Sequence, residues 1–246
     1  MSRWLFDLGN TRLKAAPLDA GGHVGRVLAI GHDGAAFADG WDAALPERIE
    51  SAAVASVVAA PLRTALLDAL SARCGRISLA RTLPRLDGVA IAYAHPERLG
   101  VDRFLAMLGA HARGGGPWLL AGVGTALTVD LLDADGRHRG GRIAPSPTLM
   151  RQALHARAAH LPAQGGVYAQ FADDTGDALA SGCEGAALAL LEQSRVAAHA
   201  LLGKAPAVLM HGGGAQVLLE RSLDAVAAPS LVLEGLARWL LMEQAR

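Results

Sequence analysis

Trp4-Leu5-Phe6-Asp7-Leu8-Gly9-Asn10-Thr11-Arg12-Leu13-Lys14 is the stretch on which the reading of this 246-residue chain turns. An apolar run ends in Asp7, Gly9 and Asn10 let the backbone turn sharply, and a second short run from Arg12 carries Lys14. The pattern is strand, tight turn, strand, with a carboxylate and polar side chains gathered at one apex. Such an apex suits a polyphosphate: backbone N–H groups in a glycine turn point at phosphate oxygens, Asn and Thr donate to them, and a carboxylate holds the divalent metal that travels with a nucleotide. It is not a Walker loop, because Gly-x-x-x-x-Gly-Lys-Ser/Thr occurs nowhere in the chain. Taken alone, the stretch fits an ordinary β-hairpin with an Asn turn equally well.

Working outward, a partial echo appears in the second half. Residues 118–121 read as a strand, Gly122-Val123-Gly124-Thr125 as a turn and 126–132 as a second strand, and Asp135-Gly136 turns the chain into a third that ends near Ile143. In both places an apolar strand enters a small glycine turn, a Thr follows, and a hairpin comes next. Internal repetition is evidence about the whole fold; here it suggests two related lobes facing each other across a cleft, with chance similarity of two glycine turns as the alternative. Gly114-Gly115-Gly116-Pro117 interrupts the pattern between them, so the lobes are expected at 1–115 and 116–246.

The remaining segments are consistent with an α/β chain. Strands are expected at 12–18, 23–30, 52–58 and 76–80, and a helix at 42–50. A helix opened by Pro61 has Leu62, Leu66 and Leu70 at helical spacing. Residues 81–96 read as loop, 96–112 as helix, 147–161 as helix, 162–176 as loop and 177–202 as a long Ala/Leu helix. A strand at 207–210 leads into His211-Gly212-Gly213-Gly214, followed by a helix, a short strand near 225–228 and a last helix from about Ser230.

Composition narrows the function. The chain is 52% hydrophobic and 19% charged, with mean hydropathy +0.27, enough apolar content for a sizeable core. A formal net charge of +0 argues against an extended nucleic-acid surface. No apolar run reaches the ~18 residues of a membrane span, and the N-terminal run ending in Asp7 is not that of a signal peptide. Cys74 and Cys183 form no CxxC pair; reduced thiols and a cytoplasmic location are the expectation.

Among single residues, Asp102 in Leu99-Gly100-Val101-Asp102-Arg103 is the most informative. A carboxylate at the start of a helix, after a Gly and beside an Arg, is placed to accept a proton, and phosphoryl transfer needs little more covalent help than that. The same residue also fits a plain helix N-terminal carboxylate that complements the macrodipole. The nine histidines form no HExxH or other metal spacing, and no Gly-x-Ser-x-Gly elbow is present. Cys183 reads as a small packed residue. His211, before three glycines, reads either as lining a nucleotide base or as a strand end.

These residues together resemble the type III pantothenate kinases, relatives of the Bvg accessory factor proteins within the actin/sugar-kinase/Hsp70-like superfamily. Asp7-Leu8-Gly9-Asn10-Thr11 with Lys14 is similar to that family's first phosphate motif, and Gly100-Val101-Asp102-Arg103 to its substrate and base motif. Gly124-Thr125-Ala126 with Thr128 and Asp130 is similar to its second phosphate motif, and Gly140-Gly141 with Ile143 and Pro145 to a further one. The resemblance implies a two-lobed α/β fold and ATP-dependent phosphorylation of pantothenate, the first step toward coenzyme A. It implies ATP binding by Asp7, Leu8, Gly9, Asn10, Thr11, Arg12, Leu13, Lys14 and Thr125, with Asp7 acting on Mg²⁺ directly or through water. It implies pantothenate binding by Tyr93, Gly100, Val101, Asp102, Arg103 and Thr175, with Asp102 as general base and Arg103 on the substrate carboxylate. A homodimer is implied as well; the Ala/Leu helix at 177–202 is our own expectation for part of its interface.

The chain departs from the family pattern in three places. Gly122 stands where the family usually carries an Asp that binds a monovalent cation such as K⁺ or NH₄⁺, so an ordinary K⁺ site is not expected here. Ser146 follows Pro145 where Gly is usual, and His211 precedes the glycines where Thr is common. Two other readings accommodate these departures: a non-catalytic or regulatory relative that kept the fold, and a kinase of the same superfamily acting on another small substrate.

Overall fold

The computed structural model describes residues 2–222 and 224–244. The chain forms two compact units. The first takes the residues up to Gly115 together with Asp135–His138 and the stretch from Ser230 onward; the second takes Gly116–Ala134 and Arg139–Pro229.

In the first unit, β1 (Arg3–Leu8), β2 (Arg12–Leu18), β3 (Leu28–Gly31), β4 (Ile49–Ser56) and β5 (Cys74–Leu79) make one sheet in the order β3-β2-β1-β4-β5. The hairpin partners β1–β2 and β2–β3 are antiparallel, whereas β1–β4 and β4–β5 are parallel. The parallel step needs a crossover, supplied by α1 (Ala60–Ser71) with Pro61 in its first turn. Leu62, Leu66 and Leu70 recur along one stripe of α1 and bury against Phe6, Leu8, Leu13 and Val54. Because alternate residues of a strand face opposite ways, Leu5, Ala53 and Ala55 are buried on the other face, where α2 (Val101–Ala112) and α6 (Leu231–Gln244) pack. These two helices cross at glycines: a Cβ on Gly235 would run into the Leu105 carbonyl, and one on Gly109 would lie 2.5 Å from the Leu231 carbonyl oxygen.

The second unit repeats this plan. Its strands are β8 (Trp118–Val123), β9 (Ala126–Leu132), β10 (His138–Pro145), β11 (Ala207–His211) and β12 (Ala225–Ala227), in the order β10-β9-β8-β11-β12. As before, the first strand of an antiparallel hairpin is central and its other neighbour is parallel. The helices are α3 (Pro147–Arg157), α4 (Thr175–Leu202) and α5 (Ala215–Leu219), and Ala187, Leu191 and Ala198 of α4 bury against Leu119, Val129 and Met210. Two units with one strand order give substance to the repetition seen between their glycine turns.

Several local expectations differ from the structure. The expected helix at 42–50 is one 3-10 turn, Trp41–Ala44, and β4 begins at Ile49, earlier than expected; Pro46 disfavours helical backbone at Leu45, which is extended. The expected strand at 23–30 is reduced to Leu28–Gly31 plus a single bridge from Val24 to Leu18. The expected loop at 81–96 contains a small hairpin of β6 (Arg85–Leu86) and β7 (Val89–Ala90), turned by Asp87 and Gly88 at positive φ. The 122–125 turn is shorter than expected, because β8 continues through Gly122 and Val123 and leaves only Gly124 and Thr125 as the loop.

Candidate active site

In the first unit, Gly9, Asn10 and Thr11 join β1 to β2. The Gly9 N–H donates to the Arg12 carbonyl (3.1 Å), so that amide closes the turn, and the polar groups left at the exposed apex belong to Asn10 and Thr11. Leu8 and Leu13 are buried beneath as the turn's anchors, and Arg12 is exposed. Asp7 and Lys14 are cross-strand partners in the register of the hairpin. Burial pushes the Asp7 carboxyl up to about 6, with the Lys14 charge opposing the shift and the Asp102 charge adding to it. Two carboxylates therefore feel each other near one apex, an arrangement that a cation relieves; the residues present fit a divalent metal at Asp7.

His32 holds this turn from the side. Its Nε2 lies 2.8 Å from the Gly9 carbonyl oxygen and its Nδ1 accepts from the Gly34 N–H at 3.1 Å. With Nδ1 accepting, the proton sits on Nε2 and donates to Gly9. The ring stands edge-on to Phe37, which stacks on Trp41 at 4.0 Å. Sequence reasoning missed His32, since a contact across 23 residues leaves no local signal.

Asp102 sits in the first turn of α2, after Gly100. Its Oδ1 accepts from the Arg103 N–H at 2.9 Å, and a Cβ on Gly100 would lie 2.6 Å from that oxygen. The glycine thus keeps the room the carboxylate occupies. Val101 is half-buried next to it. Arg103 is buried to 6% exposure; its Nη1 donates to the Tyr93 hydroxyl at 3.3 Å, and its guanidinium lies 5.8 Å from the centre of that ring. Tyr93 stacks on His138, centroids 5.9 Å apart, and His138 Nδ1 accepts from the Ala92 N–H at 3.4 Å. His138, reached from a later hairpin, is a second residue without a sequence signal.

In the second unit, Gly124 and Thr125 form a two-residue hairpin, closed by the Gly124 N–H donating to the Ala126 carbonyl at 2.9 Å. The Thr125 carbonyl accepts from the Ser146 N–H at 3.4 Å. Ser146 is the N-cap of α3, with its Oγ accepting from Leu149 N–H at 3.2 Å; this departure from the family pattern is a conventional helix cap. Thr175 opens α4, whose cap is the Asp174 carboxylate on the N–H groups of Gly176 (2.6 Å) and Asp177 (3.1 Å). The structure thus brings Asp7, Lys14 and Asp102 into one neighbourhood and Tyr93, Arg103 and His138 into another, both in the first unit. Thr125 and Thr175 lie on separate elements of the second. Among the described residues no three His, Cys, Asp or Glu form a metal cluster, and no helix is long and apolar enough to cross a membrane.

Comparison with known proteins identifies the family. The model of the type III pantothenate kinase family matches residues 4–196. The type III pantothenate kinase of Stenotrophomonas maltophilia (strain K279a) is 56% identical over 245 residues, covering 100% of both chains. Among solved structures, a conserved Baf-family protein from Campylobacter jejuni superposes with a TM-score of 0.67 at 18% identity, covering 99% of this chain and 100% of its own. An archaeal actin homolog does so with a TM-score of 0.51 at 10% identity, covering 99% and 100%. The fold is that of the actin/sugar-kinase/Hsp70-like proteins, and the chain belongs to the type III pantothenate kinase family.

Proposed function

We propose that this protein transfers the γ-phosphoryl group of ATP to the primary hydroxyl of pantothenate, the first step of coenzyme A synthesis. The observation that carries this reading is Asp102, kept at the first turn of α2 beside the buried Arg103 and within the electrostatic reach of Asp7, in a chain that matches the family along its length.

In this reading Asn10, Thr11 and Lys14 hold the nucleotide phosphates, with the closed Gly9 amide fixing the shape of the turn. The family resemblance assigns Thr125 a nucleotide contact as well. Asp7 would hold Mg²⁺, directly or through its waters, and the ion would supply charge neutralisation to the triphosphate. Asp102 takes the proton of the pantothenate hydroxyl as that oxygen bonds to the γ-phosphorus; the bond from the γ-phosphorus to its bridging oxygen breaks, and ADP leaves with that electron pair. Arg103, already oriented on Tyr93, presents its guanidinium fork to the substrate carboxylate, and Gly100, Val101 and Thr175 complete the substrate contacts. We read the working form as a cytoplasmic homodimer, with the exposed Val196 and Leu201 of α4 supporting an interface on that helix.

The test is turnover of pantothenate with Mg²⁺-ATP, followed by ADP release, for the wild type and for Asp102→Asn. The wild type should form phosphopantothenate. Asp102→Asn should lose about 10²- to 10⁴-fold in kcat, the range of general-base removal, with nucleotide affinity unchanged. Full turnover in that variant would remove Asp102 from the role of base.

A further inference from the structure

Residues Asp135–His138, the turn that follows β9 and the first residue of β10, are part of the first unit. There they lie along the small hairpin of β6 and β7. Ala90 bridges Arg137 in parallel, and the Ala90 N–H donates to the Gly136 carbonyl at 2.9 Å. A Cβ on Gly136 would run into the Gly88 carbonyl, and Gly136 has φ +77°, so the approach requires glycine. The hairpin is itself fixed from α6. The two carboxylate oxygens of Asp87 accept from Nε and Nη2 of Arg238 at 2.7 and 2.8 Å, a bidentate pair that sets orientation as well as distance.

This bracing ends at His138. The residue is 4% exposed. Its Nδ1 accepts from the Ala92 N–H at 3.4 Å, and its ring lies 17° from parallel to that of Tyr93, with centres 5.9 Å apart. Tyr93 lies outside every helix and strand, so no ladder fixes its ring, and the contacts of the ring do. On its other side the Tyr93 hydroxyl accepts from Arg103 Nη1 at 3.3 Å, with the guanidinium 5.8 Å from the ring centre. A braced turn thus holds an imidazole, the imidazole holds a phenol, and the phenol is one of the groups that orient Arg103.

We infer that His138 is a positioning residue for the acceptor substrate: by holding Tyr93 it sets where the guanidinium fork of Arg103 stands for the pantothenate carboxylate. The inference rests on the kinase reading above. His138 acts through Tyr93 and not on the reacting atoms, so its loss is felt in the binding of pantothenate and spares both the nucleotide and the chemical step.

The test is steady-state kinetics of the full chain, with pantothenate and Mg²⁺-ATP varied in turn. His138→Ala should raise KM for pantothenate by about tenfold, the upper range of one aromatic pair, with kcat and KM for ATP within about twofold of the wild type. His138→Phe, which keeps an aromatic face against Tyr93, should return KM for pantothenate to within about threefold. In a Tyr93→Ala background, His138→Ala should add less than about twofold, because residues that act through one another are not additive. An unchanged KM for pantothenate in His138→Ala, an equal rise in both KM values, or a full loss added to Tyr93→Ala would each overturn the inference. So would a Phe variant as impaired as the Ala variant. If His138→Ala shows no cooperative melt, His138→Leu, which fills the space without an aromatic face, is held to the same criteria. A wild type that does not turn over pantothenate would overturn the kinase reading and this inference with it, whereas an active wild type with an unaffected His138→Ala would overturn this inference alone.

Discussion

The two glycine turns share a topology and differ in chemistry. Each follows the central strand of its sheet, and each is closed by its own glycine N–H. In the first, Asp7 faces Lys14 across the hairpin and feels Asp102; in the second, the matching strand carries Gly122, with Thr128 and His211 on either side. The repeated backbone supplies two similar turns, and the side chains one or two residues away decide that the first carries the carboxylates. On the proposed reading, the metal chemistry of this chain rests on the first turn, which carries Asp7.

Moving the carboxylate is the sharpest way to break this contrast. Asp7→Asn should lower kcat/KM by about 10²-fold or more, since charge placed on a transferring phosphate is the main lever of this chemistry. Gly122→Asp should not rescue it, because the new side chain meets Thr128 and His211; potassium-dependent recovery in the double variant would show that the two turns are interchangeable. Titrating Mg²⁺ against activity in both variants reads this directly.

A second contrast concerns packing. Gly235→Val should drive a side chain into the Leu105 carbonyl and destabilise the first unit by about 1–3 kcal/mol, the usual cost of overpacking, seen as a lower melting temperature. Gly182 on α4 of the second unit, where a Cβ meets nothing within 4 Å, should accept Ala with no loss.

The pH dependence follows from Asp7. Its folded pKa of about 6 lies above the ordinary 3.8. Protons therefore bind the folded form more tightly, and this group's contribution to stability is full below about 4 and lost as pH rises through about 6. For the proposed Mg²⁺ site at Asp7 the sign reverses: protons would compete with the ion there, so Mg²⁺-nucleotide affinity should fall as pH drops through about 6. Asp7→Asn should flatten that profile between pH 5 and 7, as read by calorimetry at each pH.

The smallest expected effect is at His32. His32→Ala removes the donor to the Gly9 carbonyl and should raise KM for ATP several-fold, about the worth of one neutral hydrogen bond, while kcat changes little. A fall in kcat with KM unchanged would show that the latch acts on the chemical step instead.

What the sequence disclosed was local. The first hairpin, its echo, and the Gly100–Arg103 run are each contained in a dozen residues or fewer, so turn chemistry and strand alternation reveal them. Pro46 is an equally local signal, and it disfavours a helix that runs through 42–50. His32, His138 and His211 gain their meaning from neighbours far away in the chain: Gly9, Tyr93 and Gly122. No periodicity marks such residues. Gly122 was read as part of a turn because glycine is a strong turn signal; its place inside β8 is fixed by pairing to both β9 and β11.

The closing helix of the first unit has a consequence for how the molecule is made. β1 and β4 contact α6, and Leu231, Leu233 and Leu236 of that helix are buried. During synthesis the strands of the first sheet leave the ribosome long before the helix that covers them. The second unit, although later in the chain, has all its parts by Pro229. Vectorial synthesis usually favours completion of the amino-terminal body first; here the order is reversed. Until α6 emerges, the nascent amino-terminal sheet has α2 alone to cover the apolar face on which α6 packs.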